Sequence, residues 1–294
     1  MTSTGLQRAL ALLLADRGRI RDVVFREAGV ELRCRVNEDN LWGAVKDNLI
    51  LGEYERNGIG LQDLRGVVVD AGAYVGLFTL LASVHAQEVV ALEAHPDNVA
   101  LLRENVGRNR RTNVVVRHSA LWSTDGTTSF GDGPATSAGS VFAEGGKQLS
   151  VPSLSLDSLI ASTGPVDLLK LDVEGAEFDI LDAASEESLS QVRAIVAELH
   201  LEARSERLSP TLARLRALGF TVAVRRPPIY FWRESMQALW RNRRRLRREV
   251  RLRLAVPVLY TLVALGDPVF HLRRRLEGDE LAFLYATRVP PGHR

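Results

Sequence analysis

Short apolar runs alternate along this chain with amphipathic stretches of helical period. VVVDA (67–71), EVVALEA (88–94), NVVVRHSAL (113–121), DLLKLDV (167–173), AIVAELHL (194–201), FTVAVRR (220–226) and ELAFLYATR (280–288) read as buried strands. Helical patterns lie between several of them. LFTLLASVH follows the first run, and HPDNVALLRENVGRN follows the second with Pro96 at the first helical position and Val99, Leu102 and Val106 on one face. In SPTLARLRALG, Ser209 is the expected cap, Pro210 falls in the first turn, and Gly219 is the stop. Strands alternating with helices predict an α/β fold around a mostly parallel sheet.

The flanking pattern is weaker. A helix is expected over 5–16, and two short strands over 23–27 and 30–36 about Ala28-Gly29. Asp39 or Asn40 can cap a helix over 41–55, with Leu41, Val45, Leu49 and Gly52 on one face, and Trp42 and Tyr54 as its packing aromatics. Asp125-Gly126 signals a hairpin, residues 131–147 a long polar loop, and 151–160 an extended segment entering a short helix capped near Asp157. The expected organisation is a cap over 1–65, a core over 66–226, an insertion over 227–279, and the last core strand with the tail over 280–294.

The detail of one turn narrows the ligand. After the first core strand, Gly72 and Gly76 frame the entry to a helix, as in nucleotide-binding sheets. A diphosphate-binding turn would begin with glycine, so that the backbone can approach the ligand at a helix N-terminus. Asp70 stands there instead, and a carboxylate repels a diphosphate and suits a cation. Glu93 closes the second strand 23 residues after Asp70, about where an acid holds a ribose diol. The pair points to S-adenosylmethionine, which carries a sulfonium and an ammonium and no phosphate. Ser119 and Ala120, ending the third strand, fall on the crevice side of such a sheet.

A second cluster lies at DLLKLDVEGAE, where Lys170, Asp172 and Glu174 interrupt an apolar strand end at alternate positions, so strand periodicity places them on one side. Buried charges are costly unless paired or used, which makes this group a site candidate. Glu198 and His200 alternate in the same way at the end of the next strand.

Composition adds little that is specific. The 294 residues carry a net charge of +2 and an apolar fraction of 46%, as in an ordinary globular protein, so overall charge gives no reason to expect nucleic acid as a partner. Cys34 is the only cysteine, which excludes an internal disulfide and a cysteine-based metal site. The apolar run ALALLLA (9–15) is too short to span a bilayer, and a cytoplasmic location is expected.

The stretches VVVDAGAYVGLFTLLAS, ALEAHPDNVALLRENVGRN, SLSLDSLI and LLKLDVEGAEFDIL, preceded by NLILGEYE, resemble the FkbM family of S-adenosylmethionine-dependent methyltransferases over roughly 40–225. The resemblance implies a class I methyltransferase fold, Rossmann-like, with a seven-stranded sheet, helices on both faces and the last strand antiparallel. It also implies O-methylation of a sugar, glycan, glycolipid or other small natural product. Carried over by position, Asp70, Gly72 and Gly76 form the glycine-turn motif, Glu93 the ribose acid, and Ser119 with Ala120 the adenine edge. Asp172 and Glu174 become the acidic pair beside the methyl group. A hydroxyl acceptor needs its proton removed, and the candidates are Asp172, Glu174 and His200. The reading is that His200 or Asp172 is the base while Glu174 positions the acceptor.

The chain departs from the family after Arg226. Between the last two strands lie Arg241, Arg243, Arg244, Arg245, Arg247, Arg248, Arg251 and Arg253, then the apolar LAVPVLYTLVAL. Basic residues beside an apolar stretch suit contact with an anionic membrane surface through 241–265, or an acidic substrate. The rival readings are a non-catalytic, membrane-associated binding protein and an NAD-dependent oxidoreductase. Asp70 in place of the first glycine argues against the second.

Overall fold

The computed structural model describes residues 20–37, 44, 46–131, 148–201, 204–225 and 281–288. The expected helix over 5–16, Trp42, residues 132–147 of the polar loop and the arginine-rich stretch within 227–279 lie outside the described residues. Two compact units separate at Gly52.

The first unit carries an antiparallel hairpin of β1 (Ile20–Glu27) and β2 (Val30–Asn37). Ala28 and Gly29 join the strands with φ of +46° and +86°, the double positive φ of a tight hairpin turn. Phe25 pairs with Leu32 and Val23 with Cys34, and all four side chains are buried. The helix expected over 41–55 is described only as a turn of π-helix at Lys46–Leu51, and Gly52 ends it with φ +57°. Tyr54 therefore lies beyond the helix rather than on it.

The second unit is a seven-stranded sheet. Its strands are β3 (Val67–Ala71), β4 (Glu88–Glu93), β5 (Val114–His118), β9 (Val166–Leu171), β10 (Val192–His200), β11 (Thr221–Arg225) and β12 (Leu281–Thr287). Spatially the order is β11-β12-β10-β9-β3-β4-β5. The order reverses between β3 and β9, and β12 runs antiparallel to both its neighbours, β10 and β11. All seven strands expected from the apolar runs are present, with the last one antiparallel. Val69, Ala71, Leu169, Leu171, Ile195 and Ala197 join one apolar cluster with Leu159, Phe178 and Leu215 of the covering helices. Asp70 and Lys170, at the intervening positions of β3 and β9, therefore point to the other face.

Three details differ from expectation. The run 113–121 is not one strand: it breaks at Ser119, and β6 (Ala120–Trp122) joins a separate sheet with β7 (Gly126–Gly131) and β8 (Gln148–Ser155). The turn at Asp125-Gly126 links β6 to β7, but β8 sits between them, parallel to β6 and antiparallel to β7. The helix after β8 (Leu156–Thr163) is capped by Ser155, whose hydroxyl accepts from Ser158 N at 3.2 Å. Asp157 instead accepts from Ser185 N at 2.9 Å. The helix expected from Ser209 begins at Ser205 and encloses Pro210. Its earlier first turn is pinned by Arg207, which donates to Asp179 at 2.7 Å and to Asp182 at 2.8 Å.

Candidate functional site

β3 ends in the turn 72–76, where Gly72 and Gly76 have φ of +77° and +93°. Space as well as φ demands glycine. A Cβ on Gly72 would stand 1.7 Å from the carbonyl oxygen of Asp172, and one on Gly76 would stand 2.4 Å from Leu102 Cδ1. Asn105, wholly buried, steadies the turn by donating to Val75 O at 2.8 Å. Gly76 leads into α1 (Leu77–Ala82), whose Thr79 hydroxyl donates to Asp70 Oδ2 at 2.5 Å.

Asp70 is paired with a cation of the chain itself. The residue is wholly buried, and the parallel register sets it opposite Lys170, whose Nζ lies 3.0 Å from Oδ1. The cation beside Asp70 is the chain's own ammonium. Lys170 Nζ also donates to Gly72 O at 3.1 Å, lies 3.4 Å from Asp172 Oδ2, and sits 4.9 Å above the ring centroid of Tyr54. Burial alone would lower the lysine pKa, but the charges of Asp70 and Asp172 outweigh it and raise it. Tyr54 donates its hydroxyl to Asp172 Oδ2 at 2.8 Å and packs edge-on against Phe78 and Phe283. With a quarter of its side chain exposed, Asp172 is the member of this group that reaches solvent.

Glu93 closes β4 with its side chain buried. Oε2 accepts from Tyr74 N at 2.8 Å, and Oε1 from His95 N at 2.9 Å and Asn98 Nδ2 at 3.3 Å. Burial pushes its carboxyl up to about 7, against the lowering effect of the His95 and Tyr74 amides, and the charge of Lys170 helps least. Ser119 N donates to Glu93 O at 3.1 Å, which sets the end of β5 beside the end of β4. The Ser119 hydroxyl is buried with no hydrogen-bond partner among the described residues, while Ala120 has already turned into β6. The structure thus brings Glu93 and Ser119 together with the glycine turn.

Glu174 is not on the strand with Lys170. β9 ends at Leu171, and Glu174 lies in the turn beyond it with φ +54°. It meets His200 instead, Nε2 to Oε2 at 3.4 Å. The other ring nitrogen faces Glu177 Oε1 at 3.1 Å. Burial would lower the His200 pKa, but bonds to Glu174 and Glu177 hold it well above 6.5. The two carboxylates favour the protonated ring, which makes Asp172 rather than His200 the stronger candidate for a base. Thr79, Asn105 and Glu177 were missed from sequence. Glu177 alone left a signal, as the third acid of DVEGAE, but its burial arises only when α4 (Glu177–Ala183) docks on the sheet.

Among the described residues no three or more His, Cys, Asp or Glu side chains are grouped to hold a metal ion, and no helix is long and apolar enough to cross a membrane.

A family model described as Methyltransferase FkbM domain matches residues 70–222. A curated relative, 31-O-demethyl-FK506 methyltransferase FkbM of Streptomyces tacrolimicus, is 29% identical over 225 residues, 64% of this chain and 85% of its own. The solved structure of methyltransferase FkbM from Methylobacillus flagellatus aligns with TM-score 0.38 and 15% identity over 54% of this chain and 39% of that one. An rRNA methylase from Streptococcus thermophilus aligns with TM-score 0.42 and 8% identity over 78% of this chain and 90% of its own.

Proposed function

Because the chain belongs to the FkbM methyltransferase family, we propose that it is an S-adenosylmethionine-dependent O-methyltransferase acting on a hydroxyl of a sugar, glycan or other small natural product. The observation that carries the reading is Glu93. A buried carboxylate that takes only amide donors, at the end of a parallel strand and against a glycine turn, is suited to receive the two hydroxyls of a ribose. The unpartnered Ser119 hydroxyl beside it suits a further polar edge of the same ligand. Glu93, Ser119 and the turn 72–76 would hold the methyl donor, which supplies an activated methyl group when bound.

Methyl transfer to oxygen needs alignment and removal of one proton. In this reading Asp172 accepts the proton of the acceptor hydroxyl. Tyr54 and Lys170 fix its Oδ2, and its exposed portion meets the substrate. Glu174, also partly exposed, orients the acceptor from the adjoining turn. The O-methylation named for the Streptomyces relative supports a hydroxyl acceptor. The reading includes a cytoplasmic enzyme that touches anionic membrane through 241–265, supported by the arginine density beside LAVPVLYTLVAL. Vesicle flotation of the chain against a variant lacking 234–275 tests that contact, and equal soluble fractions would end it.

Thermal shift with S-adenosylmethionine and with NAD, repeated on Glu93→Ala, tests the cofactor. At 100 times its dissociation constant a ligand stabilises by about 2.7 kcal/mol. A shift with the methyl donor alone, lost in Glu93→Ala, is the expected result. A shift with NAD alone would overturn the reading.

A further inference from the structure

His200 ends β10 with each ring nitrogen facing a carboxylate, Nδ1 toward Glu177 and Nε2 toward Glu174. A carboxylate facing each nitrogen favours a hydrogen on both and hence an imidazolium ring. The need for that charge is local. Glu177 is wholly buried, its Oε1 also receives Gly175 N at 3.0 Å and Val173 N at 3.3 Å, and its Oε2 is buried without a partner. A carboxylate so placed requires a cation, and His200 is in contact with it. Glu174 holds a left-handed backbone conformation that a glutamate keeps only where its surroundings enforce it. One proton on one ring thus ties together the strained residue, the buried acid and, through that acid, two backbone amides of the turn.

We infer that His200 is a positioning residue whose imidazolium locks the turn 172–177, so that Glu174 stays in register with Asp172 on the acceptor side only while the ring is protonated; this role rests on the methyltransferase reading above. Among the described residues the charged groups facing the ring are Glu174 from the turn and Glu177 from α4. β12 brings Leu281 opposite in register, and Glu198 lies two residues earlier on the same strand. Arg204 directs its guanidinium to Gly175 O at 2.9 Å and Asp179 Oδ2 at 2.6 Å, which braces the turn from a second side. The lock has the opposite sign to a base. A histidine base gains activity as the ring loses its proton, whereas this turn is released.

The test is an NMR titration of the full chain labelled in histidine and in backbone amides, with the His200 ring assigned by its loss in His200→Gln. The expected result is a ring protonated on both nitrogens through neutral pH, with a midpoint well above 6.5. The Val173 and Gly175 amides should shift with the same midpoint, and Glu174→Gln, which removes a partly exposed acid, should lower it. A midpoint at or below 6.5, or amides that ignore the ring, would overturn the lock. Calorimetry with S-adenosylmethionine on the same samples separates the two readings. Binding with a normal titration supports both, whereas no binding with a normal titration overturns the methyltransferase reading and the acceptor-side role with it.

Discussion

Asp70 and Lys170 stand opposite one another in the parallel register of β3 and β9, with Nζ 3.0 Å from Oδ1 and both side chains buried. The same ammonium reaches Gly72 O and Asp172 Oδ2, so one cation joins the glycine turn to Asp172. Removing one partner of such a pair leaves an uncompensated buried charge. Lys170→Met is therefore expected to cost about 3–5 kcal/mol in urea unfolding. Adding Asp70→Asn should recover part of it, because neutral asparagine no longer needs the cation. Strictly additive losses in the two single variants and the double variant would show that the pair is not coupled.

Tyr54 and Asp172 separate stability from chemistry. Tyr54→Phe keeps the ring against Phe78 and Phe283 and removes only the hydroxyl that donates to Asp172, so a loss of about 1 kcal/mol is expected. Asp172→Asn should lower methyl transfer by about 10²–10⁴-fold while donor affinity, measured by calorimetry, stays within about threefold. Turnover within tenfold of wild type in Asp172→Asn would remove it as the base.

Glycines at the site differ from glycines elsewhere. Gly72, Gly164 and Gly219 all have positive φ, but a Cβ meets nothing within 4 Å at Gly164 or Gly219, whereas at Gly72 it meets the Asp172 carbonyl. Gly164→Ala and Gly219→Ala are expected to cost only the conformational penalty, about 1–2 kcal/mol. Gly72→Ala should cost at least about 3 kcal/mol, because backbone of β3 or β9 must move. Equal losses at all three positions, read from denaturant midpoints, would contradict the close approach.

The strands of the sheet were legible because each is a compact apolar run, and Glu93 was legible because it ends one of them. What escaped depends on register and docking. The register of β3 with β9 pairs Asp70 with a lysine a hundred residues away, an ion pair that no local pattern announces. Alternation placed Glu174 beside Lys170, but the strand stops at Leu171, and a positive φ sends Glu174 toward His200. His200 stood out as a polar residue at a strand end, but its contact with Glu177 did not, since Glu177 is buried only once α4 packs. The break at Ser119 was hidden for a similar reason. NVVVRHSAL is uniformly strand-like, and only pairing with β8 assigns Ala120 to a second sheet.

Glu93 and His200 give the protein two pH dependences of definite sign. Both have folded pKa values raised above their unfolded values, so the stability each contributes is fully present below its unfolded pKa and is lost as pH rises through the folded one. For His200 that loss begins above 6.5 and extends well beyond it. For Glu93 it spans 4.5 to about 7, because the buried acid is more stable protonated. Glu93→Gln should therefore flatten the fall in ligand-free stability over that window relative to wild type. A ribose diol needs the ionised form as acceptor, so donor binding runs the other way and strengthens as the proton leaves. With Glu93 titrating at about 7, affinity for S-adenosylmethionine should be about tenfold weaker at pH 6 than at pH 8 and level off above that. Glu93→Gln should bind weakly at both pH values with no such step. Calorimetry at the two pH values checks it, and an unchanged wild-type affinity would mean that the carboxylate does not receive the donor.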